Sequence, residues 1–154
     1  MASLKPALLA AFLFALPASA LAETPVERGE YLVRGPAGCG NCHTPIGPEG
    51  FVQAQELGGR LVEENPSFKA YAPNITPAGA VAKWSDAELA KAIREGIRPD
   101  GSLIGPPMPF TMYRGLADED LAAMVAFLRS LPAVDTTVPP SEYHIPLPPS
   151  YGPP

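Results

Sequence analysis

Cysteine, histidine and tryptophan are scarce in this sequence: its 154 residues hold two Cys, two His and one Trp. Two thiols exclude a scaffold held by several disulfides, and a bond between Cys39 and Cys42 would close a loop too small to join distant parts of the chain. Charge is also sparse, at 18% of residues, with 11 Lys and Arg against 16 Asp and Glu for a net charge of −5. No basic stripe is present to meet phosphates, which excludes nucleic acid as a partner. No carboxylate pair, nucleophile triad or nucleotide-binding loop can be picked out, so no catalytic residue is assigned and the chain does not read as an enzyme. Beyond the first residues no apolar run is long enough for an integral membrane span.

Proline and glycine are abundant, at 21 and 14 residues. They divide the chain. Residues 1–22 carry Lys5, an apolar run over 7–16 and the small-residue ending Ala20-Leu21-Ala22. That is the layout of a cleaved secretory signal, predicting export to the periplasm or beyond and a mature start at Glu23. Residues 23–132 then form one modest domain. Residues 133–154 continue as a Pro-rich tail, with eight prolines from Pro132 to Pro154, and predict an extended or disordered segment that includes His144.

Three helices are legible within the domain. Pro25 suits an opening turn, Val26, Gly29 and Val33 share a face, and Gly35-Pro36 stops the element. In "WSDAELAKAIREG", Ser85 and Glu88 have capping-box spacing, Leu89, Ala92 and Ile93 form the apolar stripe, and Gly96 marks the exit. In "LADEDLAAMVAFLRSLP", Asp118, Glu119 and Asp120 favour the N-terminus, and Leu121, Met124, Val125 and Leu128 make the stripe. Residues 50–81 read mostly as loop, with "GGRLV" a short extended piece, and Pro106, Pro107 and Pro109 exclude a helix there. The expected fold class is therefore all-α. Helices this short, separated by long Gly/Pro loops, need something large and apolar to complete their interior.

"GPAGCGNCHTP", residues 35–45, holds both cysteines and one histidine. Cys39-Gly40-Asn41-Cys42-His43 is C-x-x-C-H, the attachment pattern of c-type haem: two thiols for one porphyrin edge and an adjacent imidazole for the iron. Zinc would need further ligands, which distant His144 does not supply at a recognised spacing. A redox dithiol would want a strand-to-helix setting in an alternating α/β chain. For the iron's second axial position, Met124 belongs to a core stripe. Met108, in the proline-braced "GPPMPF", and Met112 remain, with Met108 preferred because its loop is stiff.

Taken in order, "RGEYLVRGPAGCGNCHTP", "GGR", "YAPNITP", "WSDAELAKAIREGIRPDG" and "PPMPFTMYRGLADEDLAAMVAFLRSLP" resemble a class I c-type cytochrome. They are most similar to monohaem units of the cytochrome c subunits of bacterial alcohol, aldehyde and sugar-acid dehydrogenases. The resemblance implies a small helical domain wrapped around one covalently bound haem c. Cys39 and Cys42 become the thioether attachments, His43 the proximal ligand and Met108 the distal one. It also implies that the first helix crosses the last, with Gly29 and Tyr31 near Phe127 or Leu128, and that Pro45 helps aim the second nitrogen of His43 at a backbone carbonyl. Arg60, Tyr71, Asn74 and Trp84 become candidate contacts to the haem rim and propionates.

The single C-x-x-C-H departs from relatives with several haems in one chain. Ala117 stands where a capping serine is more natural, and is expected to shift the cap to Asp118. The tail does not read as a membrane anchor.

The function expected is that of an exported electron carrier. Its donor would be a periplasmic or membrane-associated dehydrogenase or other redox complex, and its acceptor an oxidase, a reaction centre or a second cytochrome. The competing reading is an exported haem-based small-ligand binder or sensor with a labile distal position.

Overall fold

A computed structural model describes residues 22–146. All of the expected secretory signal except Ala22 lies outside the described residues, as does the end of the tail. Helix α1 spans Pro25–Arg34 and begins at a capping box, in which Thr24 accepts from the Glu27 amide and Glu27 reaches back to the Thr24 amide. Helix α2, Gly40–His43, is a single turn. Helix α3, Asp86–Glu95, has the Ser85/Glu88 capping box and ends at Gly96 in the left-handed conformation, φ 71°. Helix α4, Asp118–Ser130, buries Leu121, Met124, Val125 and Leu128, together with Ala123 and Phe127.

Helices α1 and α4 form the main packing unit. A Cβ on Gly29 would run into the Ala123 carbonyl and lie 2.7 Å from Phe127 Cβ, so the backbones meet where no side chain can fit. Tyr31, expected beside this crossing, is 59% exposed, with the Arg28 guanidinium 5.6 Å from its ring centroid. Three ion pairs tie the helix ends together: Arg28 to Asp120 at 2.8 Å, Arg94 to Asp118 at 2.7 Å, and Arg129 to Asp86 at 3.0 Å. Ala117 remains the N-cap of α4 and makes no side-chain cap bond; Asp118 pairs with Arg94 from inside the helix.

The all-α expectation does not hold. Among the described residues two small antiparallel sheets accompany the four α-helices, and the fold is mixed. Strands β1, Ile46–Gly47, and β2, Gly50–Phe51, make a short hairpin just after α2. Strands β3, Arg60–Asn65, and β4, Phe68–Ala72, make a longer one across the segment expected to be loop. Its turn is set by Asn65, whose side-chain oxygen accepts from the amides of Ser67 at 2.9 Å and Phe68 at 3.1 Å. A register shift between Leu61 and Glu63 breaks the alternation of inward and outward side chains, which is why no clean two-residue period exists in the sequence.

Strand β5, Glu142–Tyr143, comes from the tail and pairs with β4 through Lys69↔Glu142 and Phe68↔Tyr143. Among the described residues no helix is long and apolar enough to cross a membrane.

Candidate functional site

One turn of helix brings the C-x-x-C-H groups together. The Cys39 carbonyl accepts from the amides of Cys42, at 3.2 Å, and His43, at 2.9 Å, so the thiols lie on one side of α2 with the imidazole next to them. The turn is docked on α1, since the Cys39 amide donates to the Val33 carbonyl at 3.1 Å. Gly38, with φ +58°, makes the reversal between the two helices.

The far side of α2 is clasped by the segment before β3. The Leu57 amide donates to Thr44 Oγ1 at 3.1 Å, and the Gly59 amide to the His43 carbonyl at 2.6 Å. Gly59, φ +89°, has no room for a Cβ, which would stand 2.7 Å from the Asn74 nitrogen and 2.8 Å from the Pro73 carbonyl carbon. That close approach carries Pro73 over the imidazole. His43 Nδ1 lies 2.8 Å from the Pro73 carbonyl oxygen, so Nδ1 bears the hydrogen and Nε2 is the nitrogen available to a metal. Pro45 was expected to help aim this ring; the acceptor is the carbonyl of a residue 30 positions on.

Cys39, Cys42 and His43 line one cavity of about 280 Å³. Its apolar walls come from the β3–β4 hairpin (Val62, Ala70), from α3 (Leu89, Ile93) and from Leu128 of α4. Met108 lines it as well. Met112 does not: it is 80% exposed, while Met124 is fully buried in the core. The peptide between Pro106 and Pro107, just before Met108, is cis. An open groove of about 620 Å³ between α3 and α4 shares none of these residues and lies away from the chemistry.

Burial sets the electrostatics. It lowers the His43 pKa below the ordinary histidine value, opposed by the Pro73 carbonyl and helped by the charge of Arg60, so the ring is held neutral, as a metal ligand must be. It pushes the Cys39 thiol up to about 11, with Cys42 adding to the rise. Burial of this kind favours the neutral thiol. Among the described residues no three His, Cys, Asp or Glu side chains group as a metal site made by protein alone.

The remaining candidates separate. Tyr71 and Trp84 line the cavity. Arg60 lies beside it, donating to the carbonyls of Asn41 at 2.6 Å and Leu61 at 2.8 Å, while its Nε is buried without a partner among the described residues. Asn74 does not line the cavity. It is 3% exposed, accepts from the Thr76 amide at 2.9 Å, and donates to the carbonyls of Val134 at 2.7 Å and Thr136 at 3.2 Å.

Tyr113, Ser141 and Tyr143 also line the cavity and were not singled out in the sequence. Tyr113 donates to the Ala37 carbonyl at 2.8 Å, and burial beside the two cysteines pushes its phenol up to about 12. The spacing M-P-x-x-x-Y from Met108 was the available signal for it.

Two cysteines and a histidine on one helical turn, facing an apolar cavity that a methionine also lines, fit the chemistry of c-type haem attachment. The chain belongs to the cytochrome c family, whose model, described as Cytochrome c, matches residues 26–132. It is 35% identical over 107 residues to an alcohol dehydrogenase (quinone) cytochrome c subunit of Gluconobacter oxydans, covering 68% of this chain and 21% of that protein. It is 36% identical over 115 residues to a fructose dehydrogenase cytochrome subunit of Gluconobacter japonicus, covering 73% and 22%. With a diheme cytochrome c-type protein of Cereibacter sphaeroides it shares 37% over 112 residues, covering 71% and 36%. The chain thus spans between about a fifth and a little over a third of the length of these relatives.

Proposed function

We propose that this protein is an exported electron carrier, passing single electrons between a donor dehydrogenase or other redox complex and a downstream acceptor through one covalently held haem c. The observation that carries the reading is that Cys39, Cys42, His43 and Met108 line a single apolar cavity while Met112 stands 80% exposed outside it. In this reading Cys39 and Cys42 would hold the haem through thioether bonds, and His43 Nε2 and Met108 Sδ would be the protein ligands of its iron. Bound there, the haem supplies a one-electron couple, and a thioether ligand raises its potential.

The chain's own residues do the rest. The Pro73 carbonyl holds the His43 ring in one tautomer and makes it a more basic ligand. The apolar walls keep water from the site. Arg60 Nε, buried beside the cavity, offers a donor to the haem carboxylates. Tyr71 and Trp84 pack along the wall. The similarity to cytochrome subunits of an alcohol dehydrogenase and a fructose dehydrogenase supports a dehydrogenase as the donor. An oxidase, a reaction centre or another cytochrome suits the acceptor. Residues 1–22 serve as the secretory signal, 23–132 as the haem domain and 133–154 as a tail.

The test is spectroscopic. Reduced holoprotein mixed with carbon monoxide should keep its spectrum; ready binding would overturn the closed His43/Met108 site in favour of a small-ligand binder. Met108→Ala should admit carbon monoxide and lower the potential with the haem still attached, whereas Met112→Ala should do neither. The reverse pattern would transfer the distal role to Met112.

A further inference from the structure

The cytochrome c match ends at residue 132, but the cavity wall continues into the tail, where Ser141 and Tyr143 line it. Tyr143 is joined to the segment that leads into Met108. Its hydroxyl donates to the Pro106 carbonyl at 2.9 Å, and its ring lies so close to Gly105 that a Cβ there would overlap it. The ring also meets Phe68, centroid to centroid at 5.9 Å. Behind it, β5 pairs with β4, the His144 amide donates to the Ser67 carbonyl at 2.8 Å, and the Tyr71 amide donates to Ser141 Oγ at 2.9 Å. Pro106, Pro107 and Pro109 have no N–H of their own, so this stretch must be held through its carbonyls or by packing.

We propose that Tyr143 is a positioning residue for the distal ligand, and that the tail is a strap that keeps Met108 on the iron. The proposal rests on the His43/Met108 reading above. An added ligand can reach the iron only in the fraction of molecules whose methionine is detached, so its apparent affinity reports that fraction.

The experiment titrates imidazole into ferric holoprotein of the full chain, following the sulfur–iron charge-transfer absorption. Tyr143→Phe, which keeps the ring, should tighten the apparent imidazole affinity by about two- to tenfold, the worth of one hydrogen bond. Tyr143→Ala should tighten it further and weaken the sulfur–iron absorption. Thr136→Val cuts the tail's bonds to Gly58 and Asn74, away from the loop; it should lower the unfolding midpoint and leave imidazole affinity at the wild-type value.

If both Tyr143 variants bind imidazole like wild type, the strap is refuted and the Met108 assignment stands. If Thr136→Val tightens binding as much as Tyr143→Phe, the effect is general loosening and the proposal also fails. A wild-type protein with no sulfur–iron absorption would remove the Met108 reading itself, and this proposal with it.

Discussion

His43 Nδ1 donates to the Pro73 carbonyl at 2.8 Å, and the next residue, Asn74, is anchored through its side chain. Asn74 is the joint where the chain after β4, the Thr76 turn and the tail meet, through bonds of 2.7 to 2.9 Å to the Val134 carbonyl and from the Thr76 amide. Asn74→Ala strands a buried amide and tail carbonyls together, and should cost about 2–4 kcal/mol in denaturant unfolding of the holoprotein. It should also raise the reduction potential, because a loosened Pro73 acceptor leaves the His43 imidazole less basic. A stable variant with an unchanged potential would show that the Pro73 carbonyl stays put without Asn74.

Gly29 is the point of closest approach between α1 and α4. The obstacle to any side chain there is the Ala123 backbone, which cannot turn aside as a flexible side chain could. Gly29→Ala should therefore destabilise by about 3 kcal/mol, despite alanine's better helix propensity, which alone would favour the variant by about 1 kcal/mol. Unfolding curves decide between the two. A gain in stability would mean the helices separate easily.

What could be read in advance was local. Ser85, Glu88 and Gly96 announce α3 because a capping box and a left-handed exit are made by neighbours in sequence. The C-x-x-C-H turn is legible for the same reason, since its three side chains need only one helical turn to meet. The β3–β4 hairpin was hidden by the bulge between Leu61 and Glu63, and its third strand arrives from the tail, where Tyr143 pairs with Phe68. Prolines suggested an extended or disordered tail without saying what it would meet; in its described part Ser141, Tyr143 and His144 all bond to the body of the domain. Pro73 left no trace in residue type, because what it contributes is a carbonyl that any residue carries. Asn74 was a candidate contact to the haem rim or propionates; its side chain bonds at the tail junction and is not among the residues that line the cavity.

Ala117 offers a stabilising change. It caps α4 with an extended backbone, φ −61° and ψ 152°, but has no side-chain acceptor for the free amides of the first turn. Ala117→Ser supplies one without altering the backbone, and should add about 0.5–1 kcal/mol in denaturant unfolding. The benefit should appear in the unfolding midpoint and leave the haem spectrum untouched. A loss of stability would show that the three acidic residues which follow already satisfy this end.

Acid should weaken the fold through Asp120. Its hydrogen bond to Arg28, reinforced by the charge, holds the carboxyl below the usual aspartate range, while Arg28 stays charged throughout. A carboxylate with a lowered folded pKa stabilises fully above its unfolded pKa of about 4, and that contribution disappears as pH falls through the folded value. Glu27 and Glu88, lowered by bonds to Thr24 and Ser85, act in the same direction. Wild type should therefore exceed Asp120→Asn in stability near pH 7, with the gap closing toward about pH 2. The two residues are solvent-accessible, so added salt should also narrow the gap. Denaturant unfolding of both proteins across that range is the measurement, and a gap that stays constant with pH would rule out the Arg28–Asp120 pair as its source.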